Sequence, residues 1–202
     1  MVDTYLRQSP LAALHLLGRS REDNSNAGVL MGERDFRCQW VLRANGTDTA
    51  VIAAVKDITG CDLPLDPNTT KSAGDIDILW LGPDEWLVTA PDGASVGDDL
   101  ATALSDVHCA VTDVSESRTI IVLSGKHARD VLAKGCALDF HPRSFVVGQC
   151  AQSMLAHNHV ILHQRSIAPA YDVYVHRSFA ESLWQWLEDA AAEYDFGISN
   201  PA

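Results

Sequence analysis

Apolar residues at helical spacing predict four amphipathic helices in this chain of 202 residues, three of which are described first. Residues 51–58 repeat apolar side chains every three or four positions, and Gly60 follows as a residue that commonly ends helices. Residues 96–104 predict a shorter helix, and residues 179–194 predict the strongest one. In this last helix Trp184 lies about 160° from the apolar stripe around the helix axis, so its side chain is predicted to face outward.

Shorter apolar runs between turn-forming residues predict strands. Residues 76–81 and 85–90 lie on either side of a Gly-Pro-Asp turn and predict a hairpin. Residues 150–156 and 159–164 predict a second hairpin. Residues 171–176 alternate between apolar and polar side chains, which predicts a strand with one buried face and one exposed face.

Between the two hairpins lies a strand followed by a helix. Residues 118–123 include four consecutive β-branched side chains, a pattern that favours a strand buried on both faces. Residues 128–132 have helical spacing, so the face that carries their apolar side chains must be buried on a sheet. Ser124 is predicted to cap this helix and Gly135 to end it.

Strand pairs interrupted by single helices predict an α+β fold with antiparallel sheets covered by helices. The order hairpin then helix occurs over residues 76–104 and again over residues 150–194, as expected from duplicated ferredoxin-like units. We expect residues 1–27 to form an N-terminal segment that contacts a partner. Residues 28–202 are then one domain, with two lobes that meet near residues 108–112.

Charge argues against one class of partner. The chain has 15 basic and 27 acidic side chains, for a formal net charge of −12. Affinity for nucleic acids comes largely from lysine and arginine, so this surface disfavours a nucleic-acid partner. An acidic surface is instead suited to docking onto a basic partner protein.

Cysteine usage and the termini suggest a reduced, cytoplasmic protein. The five cysteines include no CxxC pair, and the N-terminal residues do not have the pattern of a secretory leader. The apolar runs are also far shorter than the roughly 20 residues that a membrane-spanning helix needs.

Three histidines are the first candidates for chemistry. His157, His159 and His163 recur at even spacing, so part of this set could reach a metal ion from one strand face. No cysteine pair or acidic residue stands at ligand spacing beside them. We therefore expect histidines whose ring nitrogens bond to backbone or water, and we predict no metal site.

Two further residues could act in catalysis. Cys136 follows Lys134 closely, and a neighbouring lysine lowers the pKa of a thiol, although a free cysteine just after a helix is more often a small core residue. His141 precedes a proline, which makes it a turn residue before it is a base. No glycine motif for binding nucleotide phosphates occurs, so no catalytic or cofactor-binding residue is predicted.

Several segments together resemble the gamma subunit of heterotetrameric sarcosine oxidase. They are the opening Arg-Gln-Ser-Pro-Leu-Ala from residue 7, Leu-Gly-Pro-Asp-Glu-Trp-Leu-Val over residues 81–88, and the long segment over residues 116–153. The last contains Leu-Ala-Lys-Gly-Cys-Ala-Leu-Asp-Phe-His-Pro-Arg-Ser-Phe, followed by Gly-Gln-Cys-Ala-Gln-Ser. The order and spacing of these segments carry the resemblance, which spans most of residues 7–194.

This resemblance implies a fold and a role. The gamma subunits look like the folate-binding domains of the glycine-cleavage aminomethyltransferase. The resemblance implies a complex that demethylates sarcosine to glycine, with one-carbon transfer to tetrahydrofolate or release of formaldehyde, and with production of hydrogen peroxide. It places FAD, FMN, NAD, tetrahydrofolate and zinc on other subunits, with alpha, beta and delta subunits as partners. This chain would then contribute packing surface rather than catalysis.

The predicted partner contacts are apolar residues on two parts of the chain, namely Leu11, Leu14, Leu16 and Trp184. Two alternatives stay open. A free-standing folate-binding aminomethyl carrier would use Asp113 or Glu116 to hold the pterin, although solvated turn acids are the simpler interpretation of both residues. A self-associating module is suggested by Trp184 alone. A subunit of a related N-methyl amino-acid oxidoreductase is a variant of the main hypothesis.

Overall fold

The computed structural model describes residues 7–20, 24 and 26–199 and contains, in that part of the chain, five α-helices and eleven β-strands. The strands are β1 Val29–Glu33, β2 Arg37–Ala44, β3 Thr70–Ala73, β4 Ile76–Gly82, β5 Glu85–Pro91, β6 Cys109–Asp113, β7 Arg118–Ser124, β8 Cys150–Leu155, β9 Asn158–Ser166, β10 Ala170–His176 and β11 Phe196–Ile198. The helices are α1 Leu16–Arg19, α2 Thr49–Thr59, α3 Val96–Ala103, α4 Ala128–Ala133 and α5 Arg177–Ala191.

The chain forms two compact units, and the second is inserted into the first. Within the described residues, the first unit draws on the chain up to Asp35, on Ser117–Val146 and on residues from Ser153 onward. The second unit consists of Phe36–Glu116 and Val147–Gln152. The predicted N-terminal segment over residues 1–27 lies partly outside the described residues, and the predicted lobe boundary near residues 108–112 stays a prediction.

The second unit is a ferredoxin-like repeat with one added strand. Its elements β2, α2, β4, β5, α3 and β6 follow the order strand, helix, strand, strand, helix, strand. The sheet has the order β3-β4-β5-β2-β6, and every neighbouring pair is antiparallel. Without β3, this is the ferredoxin-like topology. The predicted duplicated α+β fold is confirmed, and β3, which no sequence pattern predicted, adds to the sheet by pairing with β4.

One face of this sheet forms the core of the second unit. Trp40, Leu42 and Trp86 pack there with Val51 of α2 and Leu100 of α3, and all five are buried. The indole Nε1 of Trp86 donates a hydrogen bond to the Pro64 carbonyl at 2.7 Å. A buried tryptophan therefore keeps its polar group satisfied while its rings fill the core.

The first unit repeats this pattern with one exchange of strands. Its sheet has the order β11-β1-β7-β10-β9-β8, so β7, β10 and β9 occupy the positions that β2, β5 and β4 occupy in the second unit. The place beside β7 is taken by β1, which comes from the N-terminal part of the chain and pairs antiparallel with β7. The last strand, β11, is therefore one position further out, where it pairs in parallel with β1.

The predicted end of α2 is confirmed, whereas the predicted cap of α4 is wrong. Asp48 caps α2 by accepting a hydrogen bond from the Ala50 N–H, and Gly60 ends the helix with a φ of +72°. Ser124 does not cap α4, because it still pairs within β7 and the chain must first turn at Gly125 with a φ of +108°. The helix begins at Ala128 instead.

The outward orientation predicted for Trp184 is wrong. Its side chain is 0% exposed, and the buried stripe of α5 contains Ala180, Leu183, Trp184, Leu187 and Ala191. This stripe is rotated around the helix relative to the predicted one, so that Phe179 is 49% exposed. Aromatic and small residues occur on both sides of the helix, and spacing alone did not identify the side that faces the sheet.

The prediction of a half-buried β10 is also wrong. The five residues between its two ends are all buried, including Asp172 and Tyr174 on the face predicted to be exposed. An alternating pattern normally indicates one solvated face. In β10 the side chain of Asp172 is buried instead, because arginine side chains neutralise its carboxylate.

Close packing in the second unit is testable at Gly97. A Cβ atom at this position of α3 would lie 2.1 Å from Nε1 of the buried Trp40. We expect Gly97→Ala to lower the free energy of unfolding by about 1–3 kcal/mol, since overpacking forces neighbouring groups to move. Gly18→Ala is the control, because nothing lies within 4 Å of the added atom. Urea denaturation of both variants measures the effect, and equal midpoints would contradict this packing.

Candidate functional site

The N-terminal segment of the first unit folds as two short turns rather than one helix. Ser9 begins the first turn, with its hydroxyl accepting a hydrogen bond from the Leu11 N–H at 2.9 Å. A short 3-10 turn covers Ala12–Leu14, and His15 then takes a left-handed conformation with a φ of +50°. The second turn is α1. This agrees with a segment too short to form an independent helix.

The three predicted contact residues of this segment are not equally accessible. Leu11 is 1% exposed and anchors the segment in the first unit, whereas Leu14 and Leu16 are half-buried. Leu17 is 74% exposed, although sequence reasoning did not select it. The turn at His15 determines which leucine faces outward, and no periodicity can be read from so short a segment. The partner contacts of Leu11, Leu14 and Leu16 stay predictions.

These turns form one wall of an open groove of about 420 Å³. The lining residues are mostly apolar and include Ser9, Leu11, Ala12, Leu16, Leu17 and Glu33. His15 and Gly18 complete the lining. An exposed, mostly apolar groove that contains a single carboxylate is suited to binding another protein.

Glu33 is held in a fixed orientation in this groove. One carboxylate oxygen accepts a hydrogen bond from Thr119 Oγ1 at 2.6 Å, and the other accepts one from the Ser9 hydroxyl. The pairing of β1 with β7 brings Glu33 close to Thr119. The groove therefore has an ordered negative charge beside its leucines.

Helix α5 anchors both ends of the N-terminal segment. Arg177 donates to the Gln8 carbonyl at 2.6 Å, and Arg19 donates to Glu188 at 2.5 Å. The same Glu188 oxygen accepts a hydrogen bond from Trp184 Nε1 at 2.6 Å. Trp184 is therefore a buried support for this segment, and its complete burial leaves it no surface to offer a partner.

A buried carboxylate lies on the sheet of the first unit. Asp172 has a side chain that is 2% exposed, and Arg34 binds both of its oxygens, with three N···O distances of 2.9–3.0 Å. Arg165 Nε lies 3.7 Å from the same carboxylate. Two guanidinium groups compensate for the cost of burying this negative charge. We interpret this group of three charged side chains as structural, because Arg34 and Arg165 both neutralise the single carboxylate of Asp172.

The three predicted histidines are in different environments. His157 lies in the turn between β8 and β9 with a φ of +69°, His159 is exposed, and His163 is buried. Over residues 7–20, 24 and 26–199, no group of three or more histidine, cysteine or acidic side chains is placed to hold a metal ion.

Cys136 and Lys134 do not form a reactive pair. Cys136 is 8% exposed, and its sulfur lies 3.4 Å from the Ser153 hydroxyl oxygen. Lys134 instead donates to Glu193 and to the Ala190 carbonyl, and its ammonium lies 4.7 Å from the centre of the Tyr194 ring. The hydrogen bond to Glu193 raises the pKa of Lys134. The interpretation of Cys136 as a small core residue is the one that the structure supports.

Gly135, which was predicted to stop α4, has a further role in packing. A Cβ atom there would lie 2.5 Å from the ring of Trp186. The absence of a side chain thus allows α5 to approach the end of α4.

The remaining candidate residues are exposed: His141 and Glu116 lie between regular elements, and Asp113 ends β6. The Nδ1 atom of His141 accepts a hydrogen bond from the Arg143 N–H at 3.2 Å. Asp113 accepts hydrogen bonds from the Ser115 N–H and hydroxyl at 2.8 and 2.6 Å, and Glu116 is exposed. These bonds shape local turns, and they do not orient any of the three side chains toward a common ligand.

Burial makes one thiol unreactive. Cys150 is 0% exposed, and this burial raises its pKa to about 12. Its Sγ lies 3.4 Å from the Trp80 carbonyl oxygen and 3.5 Å from the Thr69 carbonyl oxygen. Since the thiolate is the nucleophile, Cys150 has no role in chemistry near neutral pH.

Comparison with protein families identifies one that matches most of the chain. The model of the "Sarcosine oxidase, gamma subunit family" matches residues 43–193. Sarcosine oxidase subunit gamma of Corynebacterium sp. (strain U-96) is 36% identical over 200 residues, which covers 96% of this chain and 95% of that protein. The protein of the same name from Corynebacterium sp. (strain P-1) is 34% identical over 194 residues, covering 95% of this chain and 93% of the relative.

Solved structures give the same result at the level of the fold. A chain of the heterotetrameric sarcosine oxidase from Corynebacterium sp. U-96, in complex with pyrrole 2-carboxylate, is similar with a TM-score of 0.84 and 32% identity. The match covers 98% of this chain and 100% of that chain. Glycine cleavage system aminomethyltransferase T from Bartonella henselae matches with a TM-score of 0.67 and 11% identity, over 96% of this chain and 59% of the aminomethyltransferase. That likeness shows a shared fold.

The burial of Cys150 predicts that its thiol reacts slowly with alkylating reagents. With a pKa of about 12, almost none of this thiol is ionised at pH 8, and the side chain is also inaccessible. We expect iodoacetamide to label the half-buried Cys38 and Cys109 well before Cys150, as followed by peptide mass spectrometry. Labelling in urea is the control, where all five cysteines should react. Early labelling of Cys150 in the folded chain would show that it is accessible.

The charged group around Asp172 predicts a large effect on stability. Asp172→Asn keeps the size of the side chain but leaves Arg34 and Arg165 without their common carboxylate. We expect the free energy of unfolding to fall by about 3–5 kcal/mol, the usual cost of removing one partner from a buried ion pair. Asp130→Asn is the control, because this acid pairs with His127 while 55% exposed. Equal stability of the two variants in urea denaturation would refute a structural role for Asp172.

Proposed function

The chain belongs to the gamma subunit family of heterotetrameric sarcosine oxidase, and we propose that within this complex it is a structural subunit without chemistry of its own. The observation that carries the proposal is the match over 98% of this chain to a complete chain of a heterotetrameric sarcosine oxidase. The dispersed positions of His141, Cys136 and the other candidate residues support a packing role.

The partners that we propose are the alpha, beta and delta subunits. The N-terminal groove supplies a contact surface, with the exposed Leu17 beside the ordered carboxylate of Glu33. An apolar side chain of a partner, flanked by a lysine or arginine, has the chemistry to fill this groove. We extend the proposed contact to the predicted segment over residues 1–27, of which Leu11, Leu14 and Leu16 are part.

The chemistry of the complex then belongs to the other subunits. We propose that FAD, FMN, NAD, tetrahydrofolate and zinc bind there and not to this chain. The complex as a whole would convert sarcosine to glycine, with the one-carbon unit passed to tetrahydrofolate or released as formaldehyde, and with hydrogen peroxide as a product. A subunit of a related N-methyl amino-acid oxidoreductase remains a variant with the same role for this chain.

A cytoplasmic location is part of the same proposal. All five cysteines are free, as is usual in a reducing compartment. No helix among the described residues is long and apolar enough to span a membrane.

The alternative of a free-standing folate-binding carrier is less well supported. Asp113 and Glu116, its candidate pterin ligands, are both exposed, and Asp113 is already bonded to Ser115. The chain also spans only 59% of the aminomethyltransferase that it resembles in fold.

Co-expression tests the proposed role directly. We expect this chain to co-purify with alpha, beta and delta subunits at one copy each, and to be colourless and inactive toward sarcosine when purified alone. Sarcosine oxidation by the isolated chain, measured as hydrogen peroxide production, would overturn the proposal. A chain that co-purifies with none of the three subunits would also overturn it.

A single substitution tests the groove. Leu17→Asp introduces a charge at a position that is 74% exposed, so the stability of the chain itself should change little. We expect at least about tenfold weaker assembly, because a carboxylate would be buried against an apolar partner beside Glu33. Ile167→Asp, at a position that is 84% exposed outside the groove, is the control. Assembly of Leu17→Asp at the affinity of the unmodified chain would exclude this surface.

A further inference from the structure

Strand β6 is an open edge of the sheet of the second unit. It pairs with β2 on one side and ends the strand order β3-β4-β5-β2-β6 on the other. The other edge strands have contacts from their own chain. Thr70 of β3 donates to the Gly148 carbonyl, Cys150 of β8 donates to the Asn68 carbonyl, and the Ile198 carbonyl of β11 accepts from Ser20.

The register fixes which backbone groups of β6 face outward. Val114 donates its N–H to the Gln39 carbonyl at 2.8 Å, and Thr112 pairs with Val41 in the same register. In an antiparallel pair, every second residue directs both its N–H and its C=O to the neighbouring strand. Ala110 and Thr112 therefore point toward β2. By the same alternation, the N–H and C=O groups of Cys109, Val111 and Asp113 point to the open edge.

Among the described residues, one charged side chain, Asp113 at the end of the strand, is the main feature of this edge that opposes strand addition. Proteins protect edge strands with lysine, proline, a bulge or a covering element. The sequence of β6 is Cys-Ala-Val-Thr-Asp, and its pairing with β2 is regular over all five residues. Val111 packs on the core of the unit, whereas the side chains of Ala110 and Thr112 are exposed. The strand is thus held in place from behind while its edge stays accessible.

A cavity of about 680 Å³ opens where β6 begins. Its apolar part is lined by Ala44, Val107 and Ala110, and its polar part includes the carboxylates of Asp48 and Asp84. Each of these acids uses Oδ1 to hold the local turn, by accepting from the Ala50 and Gly46 N–H groups respectively. The two carboxylates are therefore fixed in place. Asn45, His108 and Arg43 also line the cavity, and the guanidinium of Arg43 lies 4.0 Å from the carboxylate of Glu85, with its side chain 68% exposed. The two acids thus outnumber the one arginine in the lining.

We propose that an extended segment of another subunit adds to this sheet along the β6 edge and places a lysine or arginine side chain in the adjoining cavity. The inference rests on the proposed role as a subunit of a heteromeric complex. Main-chain hydrogen bonds to Cys109, Val111 and Asp113 supply the binding of the segment. The carboxylates of Asp48 and Asp84 select the charge of the side chain at one end.

Charge argues against a second copy of this chain as the occupant. Each copy has a formal net charge of −12, so two copies repel each other. Antiparallel self-pairing centred on Val111 would also bring an acidic Asp113 onto the edge of both copies without a basic residue in β6 to meet it. A basic segment of a different subunit meets neither obstacle.

Hydrogen exchange of individual amides tests the proposal without any substitution. In the isolated chain we expect the Cys109, Val111 and Asp113 amides to exchange rapidly, and those of Ala110 and Thr112 to be slow because they bond to β2. In the assembled complex the three outward amides should slow at least about tenfold, as expected when a hydrogen bond must open before exchange. An assembled complex in which these amides exchange as fast as in the isolated chain would refute strand addition.

A matched pair of variants at Val111 provides an independent test. Val111→Pro removes an N–H that faces the open edge and has no partner strand, whereas Val111→Thr keeps the N–H and nearly the same shape. We expect Val111→Pro to assemble about tenfold or more weakly, from the loss of one hydrogen bond and the added ring. Val111→Thr should assemble normally. Equal affinities of two folded variants would contradict the proposal, and the exchange experiment decides the matter if Val111→Pro does not fold.

Asp84→Asn tests the charge of the occupant. Asn tolerates the positive φ of +59° at this position and retains an oxygen for the Gly46 N–H. We expect assembly to weaken by up to about fivefold and to lose part of its salt dependence, as for a partly exposed ion pair. An unchanged salt dependence would exclude a basic side chain in the cavity.

The outcomes separate this inference from the proposed function. Assembly with the other subunits, without protection of the edge amides, would refute strand addition and leave the subunit role intact. Failure of the chain to assemble at all would refute the subunit role. Protection of the edge amides that depends on the concentration of the isolated chain would identify a second copy as the occupant and overturn the proposal of a basic segment.

Discussion

The N-terminal groove and the open β6 edge both depend on one choice of strand pairing. In each ferredoxin-like repeat the first strand, β2 or β7, has one side left for a further strand, and the two units fill that place differently. In the second unit that place is taken by the unit's own last strand, β6, and the sheet ends there. In the first unit it is taken by β1, so the last strand is displaced outward to pair with β1 in parallel. The first arrangement leaves an open edge, and the second brings Glu33 to Thr119 and Ser9 and so forms the groove.

The polar interior is consistent with a packing role. Asp172 is buried at considerable cost, and two arginines offset that cost without leaving an acid and a base poised against each other. Cys150 is held as a neutral thiol by burial. Lys134, which could have activated Cys136, is engaged by Glu193 and the Tyr194 ring. These charged and nucleophilic groups therefore stabilise elements of the fold, whereas the apolar groove and the β6 edge are suited to protein contacts.

Sequence patterns predicted those parts of the fold that depend on local spacing. The hairpin of β4 and β5, the helix α2 with its stop at Gly60, and the duplicated α+β arrangement are all confirmed. Burial was harder to predict where a segment has apolar residues on more than one side. Trp184 was assigned to the wrong face of α5, and Asp172 was expected to be exposed. Both errors arise because the partners that bury these side chains are distant in the sequence.

The sequence alone determined the class of fold, the family and the absence of nucleotide-binding glycine motifs, because these follow from periodicity and from short motifs whose order is fixed by the chain. Tertiary structure decided which surfaces are open to a partner. The exposure of Leu17 depends on a left-handed turn at His15, and the open edge at β6 depends on where strand pairing stops. Hydrogen bonding between strands is long-range in sequence and is not specified by the composition of any single strand, so only the assembled sheets show which edge remains unpaired.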